Sequence, residues 1–348
     1  MGSSHGSLVG VIIDGVPAGI KIVEPPIQEA LDSRRPGQSA VTTDRKEKDR
    51  LVFETGLFDG KTTGEPIVAY IRNTDVDSSY YDEIRQTPRP GHADYPAHVK
   101  FKGSNDFRGG GRFSGRLTAG IVIAGSIAKQ ILLQKEIEIL AYTTKIGPIT
   151  VEDKTNVSRD IIYDKENLVR APDLSIAKQM TAIITNAKTE GDSVGGIVEC
   201  QITNLPIGVG EPWFDSIESK ISHLIFSIPA VKGIEFGSGF KAPNMKGSEH
   251  NDPYETKDGK IITTTNNAGG ILGGLSNGMP VVFRVAFKPT SSIKKQQSTV
   301  NRNTGESETL KVRGRHDPCI VPRAVPVVEA AAACVLLDLL LAGDFITR

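Results

Sequence analysis

Residues 118–134 read TAGIVIAGSIAKQILLQ, and Ile121, Val122, Ile123, Ala124, Ile127, Ala128, Ile131 and Leu132 leave this stretch almost no polar face. A surface helix carries one apolar stripe, so a segment apolar on most sides predicts a helix enclosed by other elements. Upstream, residues 8–13 form a short apolar run that predicts a strand, ending in the turn Asp14-Gly15-Val16-Pro17-Ala18-Gly19. Pro25 and Pro26 then open a helix, Ile27, Ala30 and Leu31 recur at helical spacing, and Arg34-Arg35-Pro36-Gly37 stops it. Residues 38–50 are polar and loop-like. Alternation over Val52, Glu54 and Gly56, followed by residues 67–71, predicts an antiparallel pair joined through a turn at 60–66. Downstream, strands are predicted at 137–143, 146–151, 195–205 and 281–287, an amphipathic helix at 173–188, and further helices at 217–226 and 325–341. Strands and helices occur in both halves without strict βαβ alternation. The expected fold is therefore α+β, one unit over residues 1–348 with a helical layer sandwiched between antiparallel β-sheets.

A chain of 348 residues, 38% hydrophobic, can bury one large core or two modest ones. Lys+Arg and Asp+Glu both count 41, so net charge gives no general case for nucleic acid or a membrane surface as partner. Arginine is nevertheless unevenly placed. Ten of the eighteen fall between positions 34 and 116 (Arg34, Arg35, Arg45, Arg50, Arg72, Arg85, Arg89, Arg108, Arg112, Arg116), where guanidinium forks could grip phosphate or carboxylate. Surface solubility is the bland alternative. Three distant cysteines, Cys200, Cys319 and Cys334, suggest neither a disulfide framework nor a zinc cluster and fit a reducing cytoplasm. No apolar run is expected to reach the roughly 18 to 20 residues of a membrane span, and the first residues do not read as a signal or transit peptide.

Residues 75–115 hold almost no periodic apolar pattern but are dense in Arg, Gly, Asp, Tyr and His, which predicts functional loops forming an active-site wall. Three glycine-rich segments add to it: Gly109-Gly110-Gly111-Arg112-Phe113-Ser114-Gly115-Arg116, then Asn266-Asn267-Ala268-Gly269-Gly270-Ile271-Leu272-Gly273-Gly274, then the donor-rich Lys288-Pro289-Thr290-Ser291-Ser292. Each alone is an ordinary loop; together, beside clustered arginines, they favour an anionic phosphorylated ligand. Among the histidines His5, His92, His98, His223, His250 and His316, His5 and His92 stand out because each sits beside glycine in a polar stretch with no apolar face to serve. No metal-ligand spacing occurs, so no protein-bound metal is expected. Gly191-Asp192-Ser193-Val194-Gly195 and Gly2-Ser3-Ser4-His5-Gly6 both match the G-x-S-x-G elbow. The first, however, follows a helix and precedes a strand, and the second has no strand before it.

Ordered along the whole chain, these motifs resemble the chorismate synthase family. They are Ser4-His5-Gly6, Asp14-Gly15-Val16-Pro17-Ala18-Gly19, Arg34-Arg35-Pro36-Gly37-Gln38, Arg89-Pro90-Gly91-His92-Ala93-Asp94-Tyr95 and the Arg112 to Arg116 loop. Gly191-Asp192-Ser193-Val194-Gly195-Gly196, Phe226-Ser227-Ile228-Pro229-Ala230-Val231-Lys232-Gly233, the two later glycine- and serine-rich loops, and Gly314-Arg315-His316-Asp317-Pro318-Cys319 complete the set.

The resemblance implies a trans 1,4-elimination of phosphate from 5-enolpyruvylshikimate 3-phosphate to chorismate, the last step of the shikimate pathway that feeds aromatic amino acid biosynthesis. It implies reduced FMN (FMNH2), bound but not consumed, with an external flavin reductase and NADPH as the candidate ultimate electron source. By the same resemblance His5 steadies the reduced flavin, His92 is the acid toward the departing phosphate, and Asp317 assists proton removal through the flavin. Implied flavin contacts are Arg112, Phe113, Ser114, Ala230, Gly273, Lys288, Pro289, Thr290, Ser291, Ser292 and Arg315. Implied substrate contacts are Arg34, Arg89, Arg112, Arg116 and Arg315. A cytoplasmic homotetramer, with no nucleic acid or membrane partner, is the implied state. The sequence departs from the family at Ser3 and Leu117, where Glu is usual, and at Ala40, where arginine is common. It also lacks a first strand ahead of Ser4-His5-Gly6, which implies an unpaired sheet edge and an incomplete flavin pocket. Two alternatives follow: a truncated, non-catalytic flavin- or phosphate-binding homologue, and a serine hydrolase built on Ser193.

Overall fold

The computed structural model describes residues 1–348 except Ala40, Asp44, Lys46, Tyr80, Thr155, Asn156, Arg315 and Arg348. Its main helices are α1 (Glu24–Arg34), α2 (Thr118–Leu133), α3 (Leu174–Thr189), α4 (Ile217–Ile225) and α5 (Val321–Ala342). Its main strands are β1 (Leu8–Ile13), β2 (Leu51–Thr55), β3 (Ile67–Arg72), β4 (Glu138–Ile146), β5 (Ile149–Thr150), β6 (Gly196–Thr203), β7 (Val231–Phe236) and β8 (Val281–Phe287).

The segment 118–134 is enclosed, as its composition requires. Helix α2 packs along α5 so closely that a Cβ on Gly125 would lie 2.2 Å from the carbonyl oxygen of Ala330. On its other side α2 meets β1, where a Cβ on Gly120 would lie 2.9 Å from the Gly10 oxygen. Helix α1 packs on both central helices, and α4 packs on α5. One sheet, ordered β1-β3-β2, covers α2; the other, ordered β5-β4-β6-β8-β7, covers α5. The registers are antiparallel throughout, with Leu8 opposite Arg72, Ile139 opposite Ile202, and Val281 opposite Ile202 from the other side. This is the expected helical layer between antiparallel sheets.

Local chemistry sets the helix ends. Proline stands in the first turn of α1 and of α5, where a missing N–H costs nothing. Asp173 caps α3 through the Ser175 and Ile176 amides, and Ser216 caps α4 through the Ser219 amide. One of the three charges in α5 is buried: Glu329, 2% exposed, bonded to Lys129, to Arg159 at 2.6 Å and to the Tyr163 hydroxyl at 3.0 Å. Burial pushes its carboxyl up, but Lys129 and Arg159 outweigh that and hold it below the usual range.

Several expectations needed correction. By length and hydropathy, residues 115–133 and α5 are both apolar enough to cross a membrane, contrary to the reading that no apolar run reaches that length. Here 67% and 83% of their apolar windows are buried within the protein, so core packing accounts for their composition. Strand β7 was not foreseen, because Gly233 interrupts its alternation and it pairs only at a sheet edge. Residues 75–115 are not all loop: short helices occupy Tyr81–Gln86 and Asp94–Lys100, and a 3-10 turn occupies Arg108–Phe113. The outer edge of β1 receives Met1 and Gly2, which fold back so that the Met1 ammonium donates to the Gly10 oxygen at 2.7 Å and Gly2 bridges Val9.

Candidate active site

Where the ends of α1 and α4, the start of α5 and the loops between the sheets converge, they enclose a cavity of about 640 Å³. That is the size of a small-molecule or cofactor site. His5, His92 and Asp317 all line it, as do Arg34, Arg89, Arg112, Phe113, Ser114, Arg116, Ala230, Lys288, Thr290, Ser291 and Ser292. Residues from positions 5 and 317 thus share one space. Pro289 is not among the lining residues, although both its chain neighbours are. Gly273 also lies outside the lining. The amide of Ile217, at the start of α4, donates to the Gly274 oxygen, whereas Phe226, just past its other end, lines the cavity. Nine residues of helix, about 14 Å at 1.5 Å each, therefore separate the Gly273 loop from that wall. Arg315 and Ala40 lie outside the described residues.

The glycine triplet explains how the two histidines reach the same cavity. Gly109, Gly110 and Gly111 have φ of 60°, 79° and 51°, a region that side chains disfavour. A Cβ on Gly109 would lie 2.1 Å from Cδ2 of His5, and one on Gly110 would lie 3.3 Å from the His92 ring. The loop therefore runs against both imidazoles, most tightly at Gly109, where a side chain could not be added without displacing His5. Gly109→Ala is expected to displace His5 and lower turnover by about 100-fold, the scale of an ångström-sized misplacement. Steady-state kinetics with the purified variant checks this, and near-native kcat would show that the close approach is dispensable.

His5 sets Nδ1 2.8 Å from the Ser78 hydroxyl and meets the Tyr81 ring edge-on at 5.1 Å. Burial, followed by the Arg45 and Arg108 charges, pushes its pKa down, which favours a neutral ring. His92 lies with Nδ1 2.6 Å from Asp94 Oδ1. Asp317 accepts the Thr43 amide at 3.0 Å and is ion-paired to Arg323.

Most of the arginines bring a carboxylate with them. Asp49, fully buried, holds Arg34 at 2.5 Å and Arg116 at 2.6 Å. Glu47 holds Arg45 at 2.7 Å, and Asp94 holds Arg89 at 2.7 Å. These pairs fix guanidinium planes and offset much of the positive charge. Burial pushes Arg34 down to about 10, so it stays protonated at neutral pH. Among the described residues, Arg112, Lys232 and Lys288 bring positive charge to the cavity wall without an ion-paired carboxylate. Burial, then Lys232, lowers the Lys288 pKa, as expected of ammonium groups sharing a site. Two lining residues keep buried guanidinium donors with no partner, Arg34 Nε and Arg45 Nε, and the Thr290 hydroxyl is likewise unpartnered. Buried polar atoms are normally satisfied, and these three belong to residues that line the cavity.

Tyr81, Lys232 and His316 line the cavity without having been given a role from sequence, and Arg45 was marked only as one of the clustered arginines. Each lies in a stretch already marked as unusual, but residue type alone gives no inward direction. His316 is the clearest case: its motif was noted, while its burial, which pushes its pKa down, is visible only in three dimensions. Ser193 is outside the lining and donates its hydroxyl to the Thr290 oxygen at 2.7 Å, steadying the loop 288–292. Of the departures from the family, Ser3 reaches Asp106 at 3.5 Å, and Leu117 packs half-buried against the core.

Fold and cavity together define an α+β enzyme with an interior site for an anionic small molecule. A sequence profile for the family described as chorismate synthase matches residues 1–341. The chain is 52% identical over 342 residues to the chorismate synthase of Korarchaeum cryptofilum, covering 97% of this chain and 93% of that one. It is 51% identical over 348 residues to that of Dehalococcoides mccartyi, covering 100% and 95%, and 50% identical over 340 residues to that of Thermococcus kodakarensis, covering 98% and 94%. A crystal structure titled as chorismate synthase superposes with a TM-score of 0.74 at 28% identity, covering 99% of this chain and 90% of that one. The chain belongs to the chorismate synthase family of lyases.

Proposed function

We propose that this chain, one domain over residues 1–348, catalyses the trans 1,4-elimination that converts 5-enolpyruvylshikimate 3-phosphate to chorismate. The observation that carries the reading is one cavity lined by His5 and His92, which pack on Gly109 and Gly110, together with Arg112, Lys232 and Lys288. In the elimination a ring C–H bond and the C–O bond to phosphate break on opposite faces. The C–H electron pair forms one new double bond, the ring's existing double bond shifts to form the second, and the C–O pair leaves with the phosphate anion, while Asp317 assists removal of the ring proton. In this reading His92, which lines the cavity, donates a proton to that anion, and Arg112, Lys232 and Lys288 offset its charge. Arg34, Arg89 and Arg116, held by their carboxylates, orient N–H groups toward the phosphate. Asp317, kept in place by Thr43 and Arg323, presents a carboxylate at the wall.

The residues present also fit reduced FMN. Thr290 leaves its hydroxyl without a partner, Arg112, Ser114, Lys288, Ser291 and Ser292 offer donors, and Phe113 and Ala230 offer apolar surface. Bound there, reduced FMN supplies an electron-rich ring system that eases C–O cleavage without net redox. His5, neutral and backed by Ser78 and Tyr81, would flank the flavin without adding a second positive charge. A cytoplasmic homotetramer supplied with reduced flavin by a separate reductase, with NADPH as ultimate electron source, completes the proposal.

Calorimetric titration tests the phosphate reading. The phosphorylated substrate is expected to bind at least about tenfold more tightly than its dephosphorylated form, since several charge-assisted hydrogen bonds are lost. Equal affinity for the two would contradict it.

A further inference from the structure

Asp94 does not line the cavity, yet it organises two residues that do. It opens the short helix Asp94–Lys100, and its side chain is 10% exposed. Oδ2 accepts the Arg89 amide at 3.1 Å and Arg89 Nε at 2.7 Å, while Oδ1 accepts Arg89 Nη2 at 2.7 Å and lies 2.6 Å from Nδ1 of His92. Through Arg89 Nη1 the same network reaches Ser292 Oγ at 3.0 Å. Burial pushes the Asp94 carboxyl up, but hydrogen bonds from Arg89 and His92 outweigh it and hold it well below the usual range. An ionised oxygen 2.6 Å from a ring nitrogen requires the proton between them to sit on that nitrogen.

We infer that Asp94 is a positioning residue for His92: it holds a proton on Nδ1 and fixes the ring, so that the proton His92 gives up as an acid is the one on Nε2 of the doubly protonated ring, and the neutral ring left behind carries its proton on Nδ1. A hydrogen bond at one ring nitrogen sets the state of the other. The inference rests on the reading of His92 as proton donor only for its effect on turnover; the state of the ring is independent of that reading.

The substitution Asp94→Asn isolates the effect. An amide has one oxygen, and donor-only partners are more numerous on the Oδ2 side: the Arg89 amide N–H and Nε–H stand there, against Arg89 Nη2 alone on the Oδ1 side. The carbonyl therefore takes that side, and the NH2 group faces His92. Nδ1 must then accept, which moves the ring proton to Nε2. Nitrogen NMR of the histidine-labelled full chain reads this directly, with His92→Gln identifying the signal. The wild type is expected to show a protonated Nδ1, Asp94→Asn a protonated Nε2, and Asp94→Glu the wild-type pattern. In kinetics, Asp94→Asn is expected to lower kcat by about 10- to 100-fold with KM little changed, and Asp94→Glu to recover part of it. A wild-type His92 protonated on Nε2 alone overturns the inference even if Asp94→Asn fails to fold, and so does an Asp94→Asn ring still protonated on Nδ1. If the wild type forms no chorismate, the functional reading fails while the nitrogen shifts still decide the role of Asp94.

Discussion

Replacing His92 by alanine is expected to lower kcat by about 100- to 10,000-fold, the range of a positioned general acid, while affinity for FMN stays near that of the wild type. The separation of the two effects follows from the geometry. Its polar contacts are to Asp94 and Arg89, whereas the glycine triplet and the loop 288–292 form separate walls. Removing the imidazole leaves those walls in place. It also relieves Gly110 of its close neighbour rather than creating a clash. Rapid-mix kinetics beside an anaerobic flavin titration measure both quantities. Equal loss of turnover and flavin affinity would show that His92 holds the cofactor rather than serving the phosphate.

Asp49→Ala should have the largest effect on stability. Its carboxylate, fully buried, is shared by Arg34 from the end of α1 and Arg116 from the turn before α2, and Arg116 Nε is further held by Asn73 at 2.7 Å. Removal leaves two buried guanidinium groups facing each other, and breaking a buried pair by deleting one partner costs about 3–5 kcal/mol. Urea unfolding is expected to report a loss on that scale, with Asp49→Asn losing less because the amide still accepts one bond. A loss within about 0.5 kcal/mol, the surface-substitution scale, would mean that water enters and satisfies the arginines. The acid response follows from the same group. Burial pushes the Asp49 carboxyl up, but Arg34 and Arg116 outweigh it and hold it below the usual range, and Glu47 is held low in the same way. A carboxyl lowered on folding stabilises fully above its unfolded pKa, near 4, and that contribution is lost as pH falls through the folded value. Stability of the wild type should therefore fall more steeply below about pH 4 than that of Asp49→Ala.

The helical layer was legible because enclosure leaves a direct trace: α2 and α5 are apolar on nearly every face, and neither could face water. Proline before Ile27 and Asp173 before Leu174 marked helix starts by local chemistry alone. Strand β7 left no comparable trace, since an edge strand containing Gly233 needs neither alternation nor a long apolar run. The site was legible as stretches rather than as geometry. His5, His92 and the glycine triplet all drew attention, but the reasons for the glycines, the His5 ring beside Gly109, the His92 ring beside Gly110 and the Asp106 carbonyl beside Gly111, appear only in the fold. The carboxylates behind the arginines were invisible for a physical reason. Asp49 and Asp94 resemble any surface acid until burial and partner distances show what each one holds. Arg34 and Arg116 read from sequence as bare cations; in the fold they are oriented donors, each already matched to a charge.

The central claim is that this cavity performs the elimination and needs reduced flavin to do so. The most direct test is anaerobic incubation of the purified chain with 5-enolpyruvylshikimate 3-phosphate, following phosphate and chorismate together with reduced FMN, oxidised FMN or neither. Equimolar phosphate and chorismate with reduced FMN alone is the predicted result. Phosphate release that is indifferent to flavin, or tight binding of reduced FMN with no chorismate formed, would contradict it.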